Sequence, residues 1–239
     1  MLTQTRHVTA EIMDRPDVDP SDHAQALEGL KRINIASKAG AIMADPIVAL
    51  ARRKNLNRLS MLDIACGGGD VPLDIAQAAR QAGIEIDLTF LDRSETALKL
   101  ATAAAAREGF TARSVQADLL DRWTESTFDV VTCSLFLHHV PERNQVVELL
   151  DRMRKISSRL VVISDLRRSR SGVLGAWIGG HIFSRSRIVH HDAVASVRAA
   201  WTIGDLREFA AQAGMDGADV CTCWPWRMLL IWHAEGQQA

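Results

Sequence analysis

The sequence predicts an α/β fold built on an open, mostly parallel seven-stranded sheet that ends in an antiparallel pair. Three observations predict it. From Met61 to Ser164, short apolar runs alternate with helical patterns, and that alternation builds a parallel sheet through right-handed crossovers. The first run leads straight into three consecutive glycines, Gly67, Gly68 and Gly69, and then a helix start. The chain closes with two strand patterns, Ala218–Trp224 and Trp226–Ala234, with no helix between them. So tight a link pairs strands antiparallel.

Taken in order, the first twenty residues are polar, and Asp14 to Pro20 reads as an irregular acidic turn. A helix begins near Ser21, with Ser21 or Asp22 as N-cap and Leu27, Leu30, Ile33 and Ile35 as its stripe. A second helix is predicted over Ala44–Arg53, with Asp45-Pro46 as its start signal. Both precede the first strand, so they are expected to lie across one end of the sheet. Residues 1–58 would then form a helical cap and 59–239 the main domain. Strands are predicted at Met61–Ala65, Ile86–Leu91, Ala112–Gln116, Asp129–Cys133 and Leu160–Ser164. The helices between them fall at Pro72–Gln81, Glu95–Arg107 and Glu142–Ile156, the second being alanine-rich and strongly helical. The stretch after Asp118 is too short for a helix, and a last helix covers Ile203–Ala213.

The irregular stretch at about 166–202 reads as an inserted lid. From Leu166 to Arg198 it carries six arginines against a single acid, Asp192. Within it, Val173 to Phe183 is apolar but too short to span a bilayer. It follows the fifth strand, on the carboxyl edge where open α/β sheets bind ligands. A buried connecting helix is the plainer reading of the same residues.

Composition narrows the function. Lys and Arg number 28 against 29 Asp and Glu, so there is no global pull toward nucleic acid. Four cysteines, Cys66, Cys133, Cys221 and Cys223, lack zinc-site spacing, so no metal is expected. There is no signal-peptide run and no stretch of membrane-spanning length. The expectation is a cytoplasmic protein with a small-molecule partner and no nucleic acid. The basic segment beside an apolar stretch also suits a peripheral membrane contact. Oligomeric state is not legible.

The glycine turn asks which cofactor it cradles. A dinucleotide fingerprint counted from Gly67 would need glycine where Pro72 stands, and a P-loop would need Gly-Lys-Ser/Thr. Asp63 and Asp70 flank the turn, which disfavours a pyrophosphate and suits a ligand with a cationic portion. Asp92 ends the second strand, placed to accept from both ribose hydroxyls. Asp118 follows the third strand, placed to accept from an adenine amino group while the Leu119 N–H donates to the ring. After the fourth strand, Ser134 to Val140 would close over the rest of the ligand.

Leu62 to Gly69, Leu91-Asp92, Ala117-Asp118 and Phe128 to Val131 resemble the successive motifs of class I S-adenosylmethionine-dependent methyltransferases. The resemblance covers about 59–164, and the terminal strand pair extends it. Ala65 stands where that family usually has glycine. The resemblance implies a Rossmann-like fold and S-adenosyl-L-methionine as cofactor, S-adenosyl-L-homocysteine being its product. It implies a cofactor set of Asp63, Ala65, Gly67, Gly68, Gly69, Asp92, Arg93, Asp118, Leu119, Ser134 and His138. In it the glycine turn meets the methionyl part. Met13 to Pro16, Ser134 to Val140, Ser164 to Arg170 and Ser196 to Thr202 are similar to a bacterial subgroup acting on polyketide-type phenolic compounds.

Methyl transfer from a sulfonium is an in-line displacement in which the enzyme mainly aligns the reactants. A phenol, with a pKa of about 10, gains from a base or a nearby cation. The candidates are His139, His190, His191 and Arg198, with Asp165 placed to orient a histidine or the substrate. Each has a plainer role: helix cap, solvated loop histidine or surface ion pair. Plant phenolic O-methyltransferases carry their catalytic histidine slightly later, where this chain has Asn144, so that base does not carry over. Tryptophans are numerous beside an absence of tyrosine; most are expected in the core, and those in and after the lid suit a flat apolar pocket. The expected function is methyl transfer to a small apolar phenolic acceptor, O-methylation favoured. The alternatives are C-methylation in quinone or polyketide biosynthesis, a non-catalytic cofactor-binding module and, from the arginine cluster alone, an RNA methyltransferase.

Overall fold

The computed structural model describes residues 5–9, 11–14, 18–118 and 126–234. Its strands are β1 (Arg58–Ile64), β2 (Glu85–Asp92), β3 (Ala112–Gln116), β4 (Phe128–Ser134), β5 (Ser157–Leu166), β6 (Asp219–Cys223) and β7 (Arg227–His233). They form one sheet in the order β3-β2-β1-β4-β5-β7-β6. β1 to β5 run parallel, and β7 pairs antiparallel with both β5 and β6. The strand order reverses between β1 and β4, which opens the ligand crevice of such sheets at their carboxyl ends.

The helices are α1 (Pro20–Ala36), α2 (Ala39–Arg53), α3 (Asp70–Gln81), α4 (Glu95–Arg107), α5 (Arg143–Ile156), α6 (Arg170–Phe183), α7 (Arg187–Ala199) and α8 (Ile203–Gln212). One face of the sheet is covered by α2, α3 and α4 through Met43, Ile47, Ile75 and Leu98 against Met61, Phe90 and Val162. The other is covered by α5 and α8 through Leu149, Met153, Leu206 and Phe209 against Leu62, Val131 and Ile163. Side chains as fully buried as Met43 and Ile47 contribute roughly 1.5–3 kcal/mol each.

Three sequence expectations need correction. Helix α2 lies on a face of the sheet rather than across its end. The β4–β5 crossover puts α5 on the opposite face, so α2 fills the place beside α3 that would otherwise expose β5. It also begins at Ala39 rather than Ala44, with Pro46 inside it. The proline forfeits one backbone bond, yet burial of Ala39, Met43, Ile47 and Leu50 carries the helix through it. Lastly, the segment holding His190 and His191 is helix α7, not a loop.

Helix α6 is not a buried connector either. It exposes Leu174, Trp177, Ile178 and Ile182. Of the tryptophans, Trp201 and Trp232 are core, whereas Trp177, Trp224 and Trp226 are exposed. Among the described residues, no helix is long and apolar enough to cross a membrane.

Candidate functional site

The turn after β1 is built from left-handed backbone. Ala65, Gly67 and Gly69 have φ of 54°, 53° and 83°. A side chain at Gly67 or Gly68 would meet nothing within 4 Å, so these two glycines face open space. Gly69 has the opposite reason to be glycine: its Cβ would lie 3.1 Å from the Ala101 Cα, where α3 begins against α4. Gly69 caps α3 without a side-chain hydrogen bond, so first-turn N–H groups are left to face the crevice. Asp70 in that turn pairs with Lys31 of α1 at 3.6 Å.

Register puts the other cofactor candidates level with this turn. Ile64 lies opposite Leu91 of β2 and Cys133 of β4, so Ala65, Asp92 and Ser134 end three adjacent strands together. Asp92 Oδ2 accepts from the Gly67 N–H at 3.0 Å and Oδ1 from the Ser94 N–H at 2.9 Å. Asp118 is exposed beyond β3, tied to this edge by the Ala117 N–H donating to the Asp92 carbonyl at 3.1 Å. Arg93 is exposed and its carbonyl accepts from Gln116 Nε2 at 3.2 Å. Leu119 lies outside the described residues.

Asp63 is the unusual group here. It is 1% exposed, and its Oδ1 accepts from the Thr132 hydroxyl at 2.6 Å. Its Oδ2 is buried with no partner among the described residues. Burial pushes its pKa up to about 7, against the Thr132 hydrogen bond, and the negative charge of Asp92 adds to the rise. A buried, half-satisfied carboxylate beside a second one favours a positively charged ligand. The orphaned oxygen and the open space above Gly67 and Gly68 therefore fit S-adenosylmethionine, which carries positive charge on its α-ammonium and its sulfonium.

A second cluster stands at the ends of β4 and β5. The chain turns at Leu135 (φ 53°) into a single 3-10 turn, Leu137–His139. There His138 donates its backbone N–H to Asp165 Oδ2 at 2.9 Å and its Nδ1–H to Asp165 Oδ1 at 2.7 Å. The Leu166 N–H adds a third bond at 2.6 Å. Burial alone would raise the Asp165 pKa, but the charge and hydrogen bond of His138, with the Leu166 N–H, hold it below the ordinary carboxylate range. The ionised Asp165 keeps the proton on Nδ1 and turns Nε2 outward. That nitrogen faces Glu11 Oε1 at 3.7 Å, while His139 Nε2 lies 4.0 Å from Glu11 Oε2.

Glu11 reaches this place on an N-terminal strap. The Arg6 guanidinium donates to the carbonyls of Ala199, Pro141, His138 and Val140 and lies 3.6 Å over the Trp201 ring. Burial, with the positive Arg168 nearby, pulls its pKa down to about 10. The N–H groups of Ile12 and Met13 donate to Asp192 of α7 at 2.9 and 3.0 Å, and the Ser196 hydroxyl donates to Glu11 Oε1.

Of the four candidates for acceptor chemistry, the structure places only His139 in this cluster. His190 donates from Nε2 to the Ser184 carbonyl at 2.8 Å and stacks on His181 with centroids 3.9 Å apart, so its ring is engaged with α6. His191 is half exposed, paired at 2.8 Å with Asp192, and meets the strap only through that carboxylate. Arg198 lines an open cleft of about 430 Å³ with Thr5, His7, Thr9 and Arg168. His138, a member of the expected cofactor set, is held through its backbone N–H and its ring by Asp165. Glu11, Thr132 and Ser196 carry no catalytic motif in the sequence. Only Thr132 had a local signal, as a polar residue inside an apolar strand.

Residues 61–157 match the methyltransferase domain family. The ubiquinone biosynthesis O-methyltransferase of Paraburkholderia phymatum is 31% identical over 163 residues, which cover 67% of this chain and 66% of that protein. The protein of the same name from Pseudomonas fluorescens (strain Pf0-1) is 32% identical over 171 residues, covering 70% and 69%. The matched stretch thus spans about two thirds of each relative's length. The plantazolicin methyltransferase BpumL, in complex with S-adenosylhomocysteine, shares the fold at 17% identity, with a TM-score of 0.65 over 90% of each chain. So does the magnesium protoporphyrin IX methyltransferase of Synechocystis, with the same ligand bound, at 18% identity and a TM-score of 0.54 over 93% of this chain and 90% of that one. Laid on this strand order and this glycine turn, these similarities lead to one conclusion: the chain belongs to the class I S-adenosylmethionine-dependent methyltransferases, with S-adenosylmethionine as its cofactor.

Proposed function

We propose that the protein methylates an oxygen of a small, apolar, phenolic acceptor. The observation that carries this reading is the Glu11–His138–His139 cluster at the ends of β4 and β5, the next strands along from the glycine turn. Relatives of about 30% identity named as O-methyltransferases of ubiquinone biosynthesis support it.

The bound cofactor supplies an electrophilic methyl group on a sulfonium. In this reading Asp63 holds the cofactor's α-ammonium against the turn, and Asp92 accepts from the ribose hydroxyls with the lone pairs its backbone bonds leave over. Asp118 accepts from the adenine amino group. Arg93 and Ser134 border the same edge. Ala65, Gly67, Gly68 and Gly69 shape the backbone so that the ligand lies close to it. The acceptor hydroxyl loses its proton at the Glu11–His138–His139 cluster, since a phenol of pKa about 10 attacks well only as the anion. Helix α6, with Leu174, Trp177 and Ile178 on its exposed side, serves as the lid for an apolar ring, and Arg198 borders the entrance.

The reading is tested by offering a panel of phenols with methyl-labelled cofactor and following the label by mass spectrometry. Label should move to at least one phenol, and His139→Ala should slow it at unchanged affinity for S-adenosylhomocysteine. Tight binding of S-adenosylhomocysteine with no label moved to any phenol would refute the acceptor assignment.

A further inference from the structure

We infer that Glu11, His138 and His139 form a binding site for one divalent transition-metal ion of the zinc class, with a coordination position left open. Two imidazole nitrogens and a carboxylate are a donor set zinc takes when a fourth position is kept for water or substrate. One donor atom from each residue lies within 4.8 Å of the other two. The Glu11 carboxylate stops 3.7 Å from His138 Nε2 and 4.0 Å from His139 Nε2. Those gaps are too long for hydrogen bonds. A carboxylate meant only to pair with a histidine would close to about 2.8 Å. Tetrahedral ligands on bonds of about 2.0–2.1 Å stand roughly 3.4 Å apart, so a contraction of an ångström or so completes the site.

The surroundings are those of a ligand set rather than of a chance cluster. Asp165 holds the His138 Nδ1–H at 2.7 Å, which fixes the tautomer with the Nε2 lone pair turned to Glu11. Asp165 is itself anchored by the N–H groups of His138 and Leu166. The Ser196 hydroxyl orients the Glu11 carboxylate. His138 is 4% and Glu11 10% exposed at the side chain, whereas His139 is 29% exposed, so the site opens on one side. The expectation of no metal rests on the spacing of the four cysteines, none of which belongs to this cluster.

The ion's role rests on the proposed function, whereas its binding stands on the geometry alone. An acceptor hydroxyl taking the open position would release its proton to solvent, and the ion would hold the charge left on the oxygen. The ion then replaces a protein base.

The test uses the full chain, stripped with a chelator and titrated with Zn²⁺ by calorimetry and with Co²⁺ by visible absorption. The expected result is one saturable site per chain, weakened at least tenfold in Glu11→Gln and in His139→Ala and retained when Cys221 and Cys223 are both changed to serine. Circular dichroism checks that each variant folds. Should a variant fail to fold, the wild-type Co²⁺ spectrum decides: bands of a nitrogen and oxygen site support the inference, and a thiolate charge-transfer band overturns it. Absence of saturable Zn²⁺ binding, or binding unchanged in both variants, also overturns it. Affinity for S-adenosylhomocysteine, measured with and without chelator, should stay the same. Loss of that affinity would count against the cofactor site, and failure of the phenol panel against the acceptor assignment, neither of which touches the metal titration.

Discussion

Asp63→Asn should flatten the pH dependence of cofactor binding. In the free protein burial pushes Asp63 up to about 7, from an ordinary value of 3.8. The α-ammonium that S-adenosylmethionine and S-adenosylhomocysteine share, set beside the unpartnered Oδ2, favours the ionised form and draws that value down. Below about pH 7 the ligand must first displace a proton, so affinity falls as pH falls, by up to about tenfold per unit. The full coupling is bounded at roughly 4 kcal/mol, reached if the bound ligand restores the ordinary carboxylate value. Stability has the opposite sign. Because the folded value is raised, the native state binds a proton that the unfolded chain releases, so the free protein loses stability as pH rises from about 4 to about 7. Asparagine carries no charge, so the variant should lack both effects while binding the ligand weakly at every pH. Calorimetry with S-adenosylhomocysteine between about pH 5 and pH 8 reads the slope. A flat wild-type profile, or a slope retained in Asp63→Asn, would refute the assignment of Asp63 to the α-ammonium.

Asp92→Ala removes the acceptor for the Gly67 N–H and the proposed ribose contact, and should weaken S-adenosylhomocysteine binding at least tenfold (about 1.4 kcal/mol); unchanged calorimetric affinity would sink that role. Gly69→Ala places a Cβ 3.1 Å from the Ala101 Cα at φ 83° and should destabilise the fold by about 2 kcal/mol, read as a lower midpoint in urea. Asp165→Asn weakens the buried acceptor of the His138 Nδ1–H and of two backbone N–H groups and should cost about 2 kcal/mol. Because Asp165 is held low, the wild type keeps this contribution above the ordinary carboxylate range and loses it on acidification, whereas the variant should show no such loss in an acid melt.

What the sequence made legible was local. The alternation of runs yields the strand ends, and the acid at the end of β2 is found level with the glycine turn because both close adjacent parallel strands. Ala65, a departure from glycine in the motif, does take a left-handed φ of 54°. What stayed hidden has physical reasons. Asp45-Pro46 reads as a helix start, yet tertiary burial overrides the one lost hydrogen bond and the helix runs from Ala39. Helix α7 buries Val189, Asp192, Ser196 and Ala199 at helical spacing. Two of those four are polar, so hydropathy does not trace the stripe. Glu11 meets Ser196 across 185 positions, a contact only the fold creates. The raised pKa of Asp63 depends on how completely β1 and β4 enclose it, which no motif records.

The most direct test of the central claim is the NMR spectrum of product formed from isotope-labelled S-adenosylmethionine and a reactive phenol. The account predicts a single new O-methyl signal, reduced about tenfold or more when Asp92→Ala replaces the wild type at limiting cofactor. A new C-methyl signal instead would contradict oxygen as the nucleophile, and no transferred label beside saturable S-adenosylhomocysteine binding would contradict the acceptor itself.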